Sequence, residues 1–146
     1  MDARVMVEPS RLRLVLPRVA RAELIAGDAV DDLGRRVDFP RDTLAEVKLA
    51  VVEACLNALE YGAGEVEVEL AAHADADRPW LEVVVVDHGP GFDPGGIPQP
   101  SLETKLHAPR KRGWGLELIR RLMDEVEITS HPGLTRIHMI RRREGE

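Results

Sequence analysis

The polar residues best suited to chemistry lie in a narrow stripe along residues 41–61, which have the period of a helix. At about 100° per residue the stripe is roughly 60° wide, and most of the remaining circumference is apolar. Glu53 and Asn57 are four residues apart, so their side chains stand one above the other. A carboxylate beside an amide oxygen suits a hard cation such as Mg²⁺ or a neighbouring general base, although a solvent-facing helix surface has the same pattern. The stripe consists of Asp42, Glu46, Glu53, Asn57 and Glu60.

An acidic residue followed by glycines forms a second candidate, directly after an apolar run. Residues 87–93 read Asp-His-Gly-Pro-Gly-Phe-Asp. Asp87 stands at the expected end of a strand, and Gly89 and Gly91 would let the backbone approach a planar ligand or phosphate groups closely. A sharp turn without a ligand uses the same residue types. The motif by itself therefore leaves both interpretations open.

A third candidate combines cations with glycines at the expected start of a helix. Residues 110–116 read Arg-Lys-Arg-Gly-Trp-Gly-Leu. Glycines that open a helix direct backbone N–H groups toward an anion, and the preceding cations strengthen that field. The alternative is a solvated charge cluster in a loop. The sequence has neither a P-loop nor the third glycine of a dinucleotide-binding loop, which argues against those two folds.

The first part of the chain predicts a strand and a helix ahead of these motifs. Alternating charged and apolar residues predict a strand over residues 11–16. A helix over residues 19–37 follows. We expect its side chains Leu24, Ile25 and Leu33 to pack inward.

The remaining elements place each motif at the end or on the face of a strand or helix. The helix over about residues 41–61 is expected to end at Gly62 in a left-handed cap, and residues 73–79 are polar and turn-like. The other expected elements are strands near residues 65–70, 80–86, 126–130 and 135–140, and a helix from Gly113 with Leu116, Ile119, Leu122 and Met123 on its apolar side.

Elements in this order predict an α+β fold, a two-layer sandwich of a mixed, mainly antiparallel sheet packed on three helices. A length of 146 residues suits a single domain over residues 1–146. Residues 88–112 carry five of the ten prolines and four of the twelve glycines and show no periodicity. Structureless loops of more than about 15 residues in compact domains are usually functional, so we expect this segment to be a long lid over the site.

Composition excludes several classes of protein. A net charge of −6 argues against direct nucleic-acid binding, because phosphates demand a basic surface. The sequence has no apolar run of about 18 residues and no charged-then-apolar leader, so neither a membrane span nor secretion is expected. The single Cys55 cannot form an internal disulfide or a zinc site alone, which fits a reducing cytoplasm.

Read in order, the three motifs resemble the three conserved boxes of the GHKL, or Bergerat-fold, superfamily of ATPases. Residues 53–58 are similar to the N box, residues 87–91 to the first glycine box, and residues 113–116 to the second. Within that superfamily, residues 116–126 look most like the bacterial anti-sigma-factor serine/threonine-protein kinases. The Gly-Leu-Thr at residues 133–135 is similar to their final glycine-threonine motif.

The resemblance implies ATP and Mg²⁺ as cofactors and assigns roles by position. Glu53 would be the catalytic base that accepts a proton from an incoming hydroxyl, and Asn57 would be the metal ligand that holds Mg²⁺ against the triphosphate. Asp87 would bind the adenine amino group, and Thr135 would support Asp87 or its bridging water. The remaining cofactor-binding residues are Gly89 and Gly91 beside the base, Gly113, Gly115 and Leu116 at the phosphates, and Lys111 or Arg112 at the transferred phosphoryl group.

The implied function is phosphorylation of a serine on an anti-sigma-factor antagonist by an ATP-dependent kinase that also binds a sigma factor. Two alternatives stay open: a non-catalytic ATP-binding partner-switch module, and a related switch kinase that controls a phosphatase, which residues 61–64 and the Gly-Pro-Gly run also resemble. Glu53 favours catalysis, because a pure binder needs Asn57 but not a base. The resemblance also leaves a homodimer open.

Overall fold

The computed structural model describes residues 4–8, 10–73, 78–92 and 112–143. These residues form a six-stranded sheet with strand order β1-β2-β3-β4-β6-β5, and three helices. The strands are β1 Arg4–Glu8, β2 Arg11–Leu16, β3 Val66–His73, β4 Trp80–Asp87, β5 Glu125–His131 and β6 Leu134–Arg142, and the helices are α1 Glu23–Arg36, α2 Arg41–Tyr61 and α3 Arg112–Leu122.

The predicted α+β sandwich is confirmed, and every pairing among the described strands is antiparallel. Three of the five pairings join strands that follow each other directly in the chain, β1 with β2, β3 with β4, and β5 with β6. The connection from β2 to β3 runs out along α1 and back along α2, and it returns the chain antiparallel to β2. The three helices belong to the second layer, which packs on one face of the sheet.

Buried side chains alternate with more exposed ones along the strands, which gives the sheet one buried face. On β4, Leu81, Val83 and Val85 are buried, and the side chains between them are half-buried. The same alternation operates on β2 and β6, so one face of each strand joins a single core with the helices. Helix α2 has the predicted bounds and is the most buried helix, with nine of its 21 residues buried.

The prediction for α1 was partly wrong. The helix begins at Glu23 instead of residue 19, and Leu24 and Ile25 are 46% and 36% exposed instead of packed inward. The buried side of α1 is formed by small and β-branched residues together with Leu33, because Gly27 and Gly34 allow α2 to approach closely. Helical periodicity gives the width of an apolar stripe, but a close neighbouring helix selects which part of it is covered.

Three further details differ from the sequence predictions. Gly62 has φ −90° and ψ −169°, which is extended backbone and not a left-handed cap. His73 ends β3 instead of opening a turn, where its ring stacks on that of Trp80 with 3.8 Å between centroids. The edge strand β1, over Arg4–Glu8, was not predicted from the sequence.

Candidate functional site

The acidic stripe of α2 divides into two parts in the structure. Asp42 and Glu60 are exposed, and Glu46 is bound by the guanidinium of Arg141. Glu53 is half-buried and Asn57 is only 4% exposed. A uniformly solvent-facing stripe would leave all five side chains in water, so the middle of the stripe faces another part of the protein.

That other part is the first turn of α3. A Cβ atom added at Gly115 would lie 2.8 Å from Nδ2 of Asn57 and 3.1 Å from Oε2 of Glu53. The first of these distances is shorter than real Cβ atoms show and the second is unusually tight, so a side chain at this position would have to displace the Asn57 amide. The first and third motifs of the sequence therefore meet in space.

The start of α3 brings backbone donors to the Glu53/Asn57 pair. The first N–H groups of a helix have no partner within the helix, and the helix dipole gives this end partial positive charge. Gly113 and Gly115 have no side chain that could cover the backbone of this turn, whereas the side chain of Leu116 is buried in the core. Carboxylate, amide oxygen and helix N–H groups together can bind a cation and an anion side by side. Lys111 and the Arg112 side chain, both predicted site residues, lie outside the described residues.

The second motif forms another buried polar cluster at the ends of β4 and β6. Asp87 and Thr135 are opposite each other in the strand register, and they are 5% and 4% exposed. One carboxylate oxygen of Asp87, Oδ1, accepts a hydrogen bond from the backbone N–H of Gly89 at 2.9 Å. A carboxylate offers about four acceptor positions, so Asp87 can accept several hydrogen bonds at once.

Backbone packing joins this cluster to the end of α2. A Cβ atom at Gly62 would lie 2.5 Å from Cγ of Asp87, and one at Gly89 would lie 2.7 Å from Cα of Gly62. The amide of His88 also donates to the carbonyl of Ala63 at 3.1 Å. Gly62 is therefore required for close approach to Asp87, which explains why its backbone is extended instead of left-handed.

Arg18, which the sequence analysis did not single out, binds the C-terminal end of α2. Its Nη1 donates to the carbonyls of Ala58 and Gly64 at 3.3 Å, and its Nη2 donates to Gly62 at 3.1 Å and to Leu59. A cation is favourable at this end of a helix, where carbonyl groups lack helical partners. No local sequence signal reveals this role, because all four carbonyls are more than 39 residues away in the chain.

Arg141 binds the C-terminal end of α3, as Arg18 binds the C-terminal end of α2. The guanidinium is buried and donates to the carbonyl of Leu122 and, at 3.0 Å, to Oε1 of Glu46. It thus joins the last strand, the end of α3 and the first half of α2. This arrangement helps fix the angle at which α3 presents its first turn to Asn57.

Among the described residues, the free thiol on the buried side of α2, Cys55, offers no second reactive centre. Burial, with a smaller contribution from the charge of Glu23, raises the pKa of the Cys55 thiol to about 12, so this side chain stays protonated and inert.

Among the described residues, no group of three or more His, Cys, Asp or Glu side chains could hold a metal ion. The described helices also include none long and apolar enough to cross a bilayer.

Comparisons with known proteins agree with the fold and show the family. Residues 11–141 match the family model of the histidine kinase-like ATPase domain. The serine-protein kinases RsbW of Bacillus cereus and Bacillus thuringiensis are each 28% identical over 130 residues, which cover 86% of this chain and 81% of theirs. The structure of RsbU and RsbW domains from Mycobacterium tuberculosis superposes with a TM-score of 0.67 at 17% identity, over 93% of this chain and 34% of that chain. This last likeness concerns the fold, and the present chain spans about a third of that longer protein.

Proposed function

This chain is a member of the histidine kinase-like ATPase family, and we propose that it is an ATP-dependent protein serine kinase of the anti-sigma-factor type. In this proposal it binds a sigma factor and phosphorylates a serine on an anti-sigma-factor antagonist. The observation that carries the proposal is the meeting of Glu53 and Asn57 on α2 with the first turn of α3, while Gly62 at the end of α2 packs against Asp87, which is opposite Thr135. The similarity to proteins named serine-protein kinases supports protein serine as the acceptor.

The cluster of Asp87 and Thr135 would hold the adenine base. Asp87 is an obligate acceptor when ionised, so it matches the amino group of adenine and mismatches the carbonyl oxygen that guanine has at that position. Gly62 and Gly89 pack without side chains beside Asp87, which keeps backbone close to the place where a flat base would lie. Thr135, opposite Asp87 in the register, would support the carboxylate or a water bound to it.

The Glu53/Asn57 side of the site would hold the phosphates and Mg²⁺. The amide oxygen of Asn57 is a hard ligand suited to Mg²⁺, and the N–H groups at Gly113, Gly115 and Leu116 would bind phosphate oxygens. The missing Cβ at Gly115 leaves room for Asn57 beneath that turn. Bound Mg-ATP would supply the phosphoryl group, with Lys111 or Arg112 proposed to stabilise its charge.

Glu53 would be the general base. Its carboxylate lies one helical turn before Asn57 and close to Gly115, so a serine hydroxyl brought to the phosphate side would be within its reach. Removing the hydroxyl proton increases the nucleophilicity of the serine oxygen as transfer proceeds. A module that only binds nucleotide would need Asn57 but would gain nothing from a carboxylate at position 53, so Glu53 favours a kinase over the non-catalytic alternative.

Protein partners would use surface outside this site. Large apolar side chains are exposed near the start of α1 and on α2, among them Val19, Leu24 and Leu49 at 52%, 46% and 45%. Exposed apolar surface of this kind is typical of protein-binding regions when it is contiguous. A sigma factor and an antagonist are the proposed partners in the cytoplasm, and control of a phosphatase is the second candidate, because residues 61–64 also resemble that group of switch kinases.

The test is phosphorylation of the candidate antagonist at saturating Mg-ATP, measured for wild type, Glu53→Gln and the control Glu60→Gln. Glu60 belongs to the same stripe but is exposed, so its variant should transfer phosphate at the wild-type rate. Loss of a positioned base should slow transfer by Glu53→Gln about 10²–10⁴-fold, with ATP affinity nearly unchanged. Equal rates in all three proteins would remove Glu53 from the mechanism. ATP binding without transfer by wild type would favour the non-catalytic module.

A further inference from the structure

A serine outside the three motifs connects two parts of the base-side cluster. Ser130 lies near the end of β5, half-buried. Its hydroxyl oxygen is 2.9 Å from the backbone nitrogen of Phe92, from which it accepts a hydrogen bond, and 2.7 Å from Oγ1 of Thr135. Ser130 therefore joins the chain leaving the glycine turn to the residue opposite Asp87.

The glycine turn also rests on the β5–β6 hairpin through its backbone. The N–H of Gly133 donates to the carbonyl of Gly89 at 2.9 Å. Gly91 has φ +79°, and a Cβ atom there would lie 2.6 Å from the carbonyl oxygen of His131 and 3.1 Å from Oγ of Ser130. The glycine turn therefore packs closely on the hairpin, and the Ser130 side chain accepts a hydrogen bond from the backbone N–H of Phe92, directly after the turn.

Either hydroxyl could donate in the Ser130–Thr135 hydrogen bond, and one of the two directions would serve a bound base. A hydroxyl carries one hydrogen and two acceptor positions, and Ser130 already uses one acceptor position for Phe92. If Ser130 donates its hydrogen to Thr135, the Thr135 hydrogen is directed away from Ser130. Because Thr135 is opposite Asp87 in the register, that hydrogen can then be donated toward the carboxylate or a ligand-bound water.

We propose that Ser130 is a positioning residue for the adenine base, which orients the Thr135 hydroxyl and holds the glycine turn on the hairpin. This inference rests on the proposed ATP binding but concerns the base side alone. Ser130 contacts Phe92 and Thr135, whereas the phosphate side is built from α2 and α3. Its loss should therefore weaken every adenine nucleotide by the same factor and spare binding that depends on phosphates only.

The experiment is calorimetric titration of wild type and Ser130→Ala with Mg-ATP, Mg-ADP and Mg-tripolyphosphate. Loss of the Ser130 hydroxyl removes a hydrogen bond at 2.9 Å and another at 2.7 Å. We expect ATP and ADP affinities each to fall roughly tenfold, with tripolyphosphate affinity within about twofold of wild type. Thr129→Ala is the matched control, because Thr129 is the preceding, exposed residue of β5 and should change none of the three affinities.

Two further variants separate positioning from general destabilisation. Ser130→Thr keeps the hydroxyl and should restore most of the ATP affinity, even if Ser130→Ala proves too unstable to titrate. Thr135→Val removes the partner hydroxyl at nearly constant shape. If the two hydroxyls act together, the ATP-binding free energies lost in Ser130→Ala and in Thr135→Val should sum to more than the loss in the double variant.

The outcomes distinguish this inference from the function on which it rests. If wild type binds no adenine nucleotide, the proposed function fails and Ser130 has no base to position. If wild type binds ATP and Ser130→Ala binds it equally well, the Ser130 inference alone is wrong. Equal weakening of ATP and tripolyphosphate would also overturn it, because Ser130 would then act on overall stability. Strict additivity with Thr135→Val would overturn it as well, because Ser130 would then not act through the Thr135 hydroxyl.

Discussion

Two acidic residues of the same strand, Glu82 and Asp87, have very different surroundings. They are five residues apart on β4 and therefore point to opposite faces of the sheet. Glu82 lies on the outward face, where its two oxygens are hydrogen-bonded to Nε2 of His73 at 2.9 Å and of His138 at 2.6 Å. Asp87 is buried on the helix-facing side at the end of the strand, next to glycine backbone.

The comparison shows that an acidic side chain alone does not identify a binding site. Both oxygens of Glu82 are engaged by side chains across the neighbouring strands, so this carboxylate is part of the sheet surface. Around Asp87, the neighbours at Gly62 and Gly89 lack side chains, and the backbone N–H of Gly89 donates a hydrogen bond to it. An acid surrounded by close backbone is the better candidate for recognising a ligand.

The largest expected effect that separates the two acids is on nucleotide affinity. Asp87→Asn should weaken ATP binding roughly 10–100-fold, because a hydrogen bond to a charged acceptor is lost and an amide can present a donor to the adenine amino group. It should also reduce the preference for ATP over GTP. Glu82→Gln is the matched control and should bind both nucleotides as wild type does. Titration calorimetry with ATP and GTP decides this, and equal behaviour of the two variants would contradict the distinction.

A smaller effect is expected from crowding the phosphate side instead of the base side. Gly115→Ala would put a Cβ atom 2.8 Å from the Asn57 amide and displace it, so we expect Mg-ATP affinity to fall roughly tenfold. Gly27→Ala is the control, since its Cβ would meet only the flexible end of Lys48 and the Val52 side chain, at 3.2 Å. If Gly115→Ala bound Mg-ATP normally, the meeting of α3 with Asn57 would have no part in nucleotide binding.

The smallest effect concerns the stability that Glu82 provides. Burial tends to raise the pKa of Glu82, but hydrogen bonds from His138 and His73 outweigh it and hold the pKa below its ordinary value. A carboxyl group with a lowered pKa in the folded state stabilises the fold above its unfolded pKa, near 4.3, and loses this contribution as pH falls through the folded value.

Urea unfolding from pH 7 to pH 3 tests this contribution. At pH 7 the free energy of unfolding of wild type should exceed that of Glu82→Gln by about 1 kcal/mol or less, because Glu82 and its two histidine partners lie partly in solvent. The difference should shrink below a pH of about 4.3. A difference that grows as the pH falls would mean that folding raises the pKa of Glu82 instead of lowering it. ATP affinity, measured on the same samples at pH 7, should not distinguish the two proteins.

Much of the fold followed from local pattern. Helix α2 has the bounds expected from its 3.6-residue period, and β2 has those expected from alternation. The motifs at Glu53, Asp87 and Gly115 were recognisable because each combines unusual residue types over a few positions at the face or end of one element. The family comparison confirms the resemblance on which their order was interpreted. Most of the expected lid, residues 88–112, lies outside the described residues.

The errors arose where a neighbouring element, and not local pattern, made the choice. Leu24 and Ile25 were assigned to the core because they lie on an apolar stripe, yet the small residues of α1 face α2 instead. Gly62 has the residue type of a helix cap, but contact with Asp87 and the hydrogen bond from Arg18 give it an extended backbone. In each case the energy that decides the conformation comes from residues distant in the chain.

By itself, the sequence singled out candidate nucleotide-binding residues and predicted the kind of element on which most of them lie, because periodicity and glycine placement act over a few residues. Only the tertiary structure brought Gly115 onto Asn57, joined Gly62 to Asp87, and placed Ser130 between Phe92 and Thr135. Arg18 at the end of α2 and Arg141 between α2 and α3 likewise have partners far away in the chain. Such contacts depend on how whole helices pack on a sheet. A periodic sequence pattern carries no information about the distance between residues of different elements.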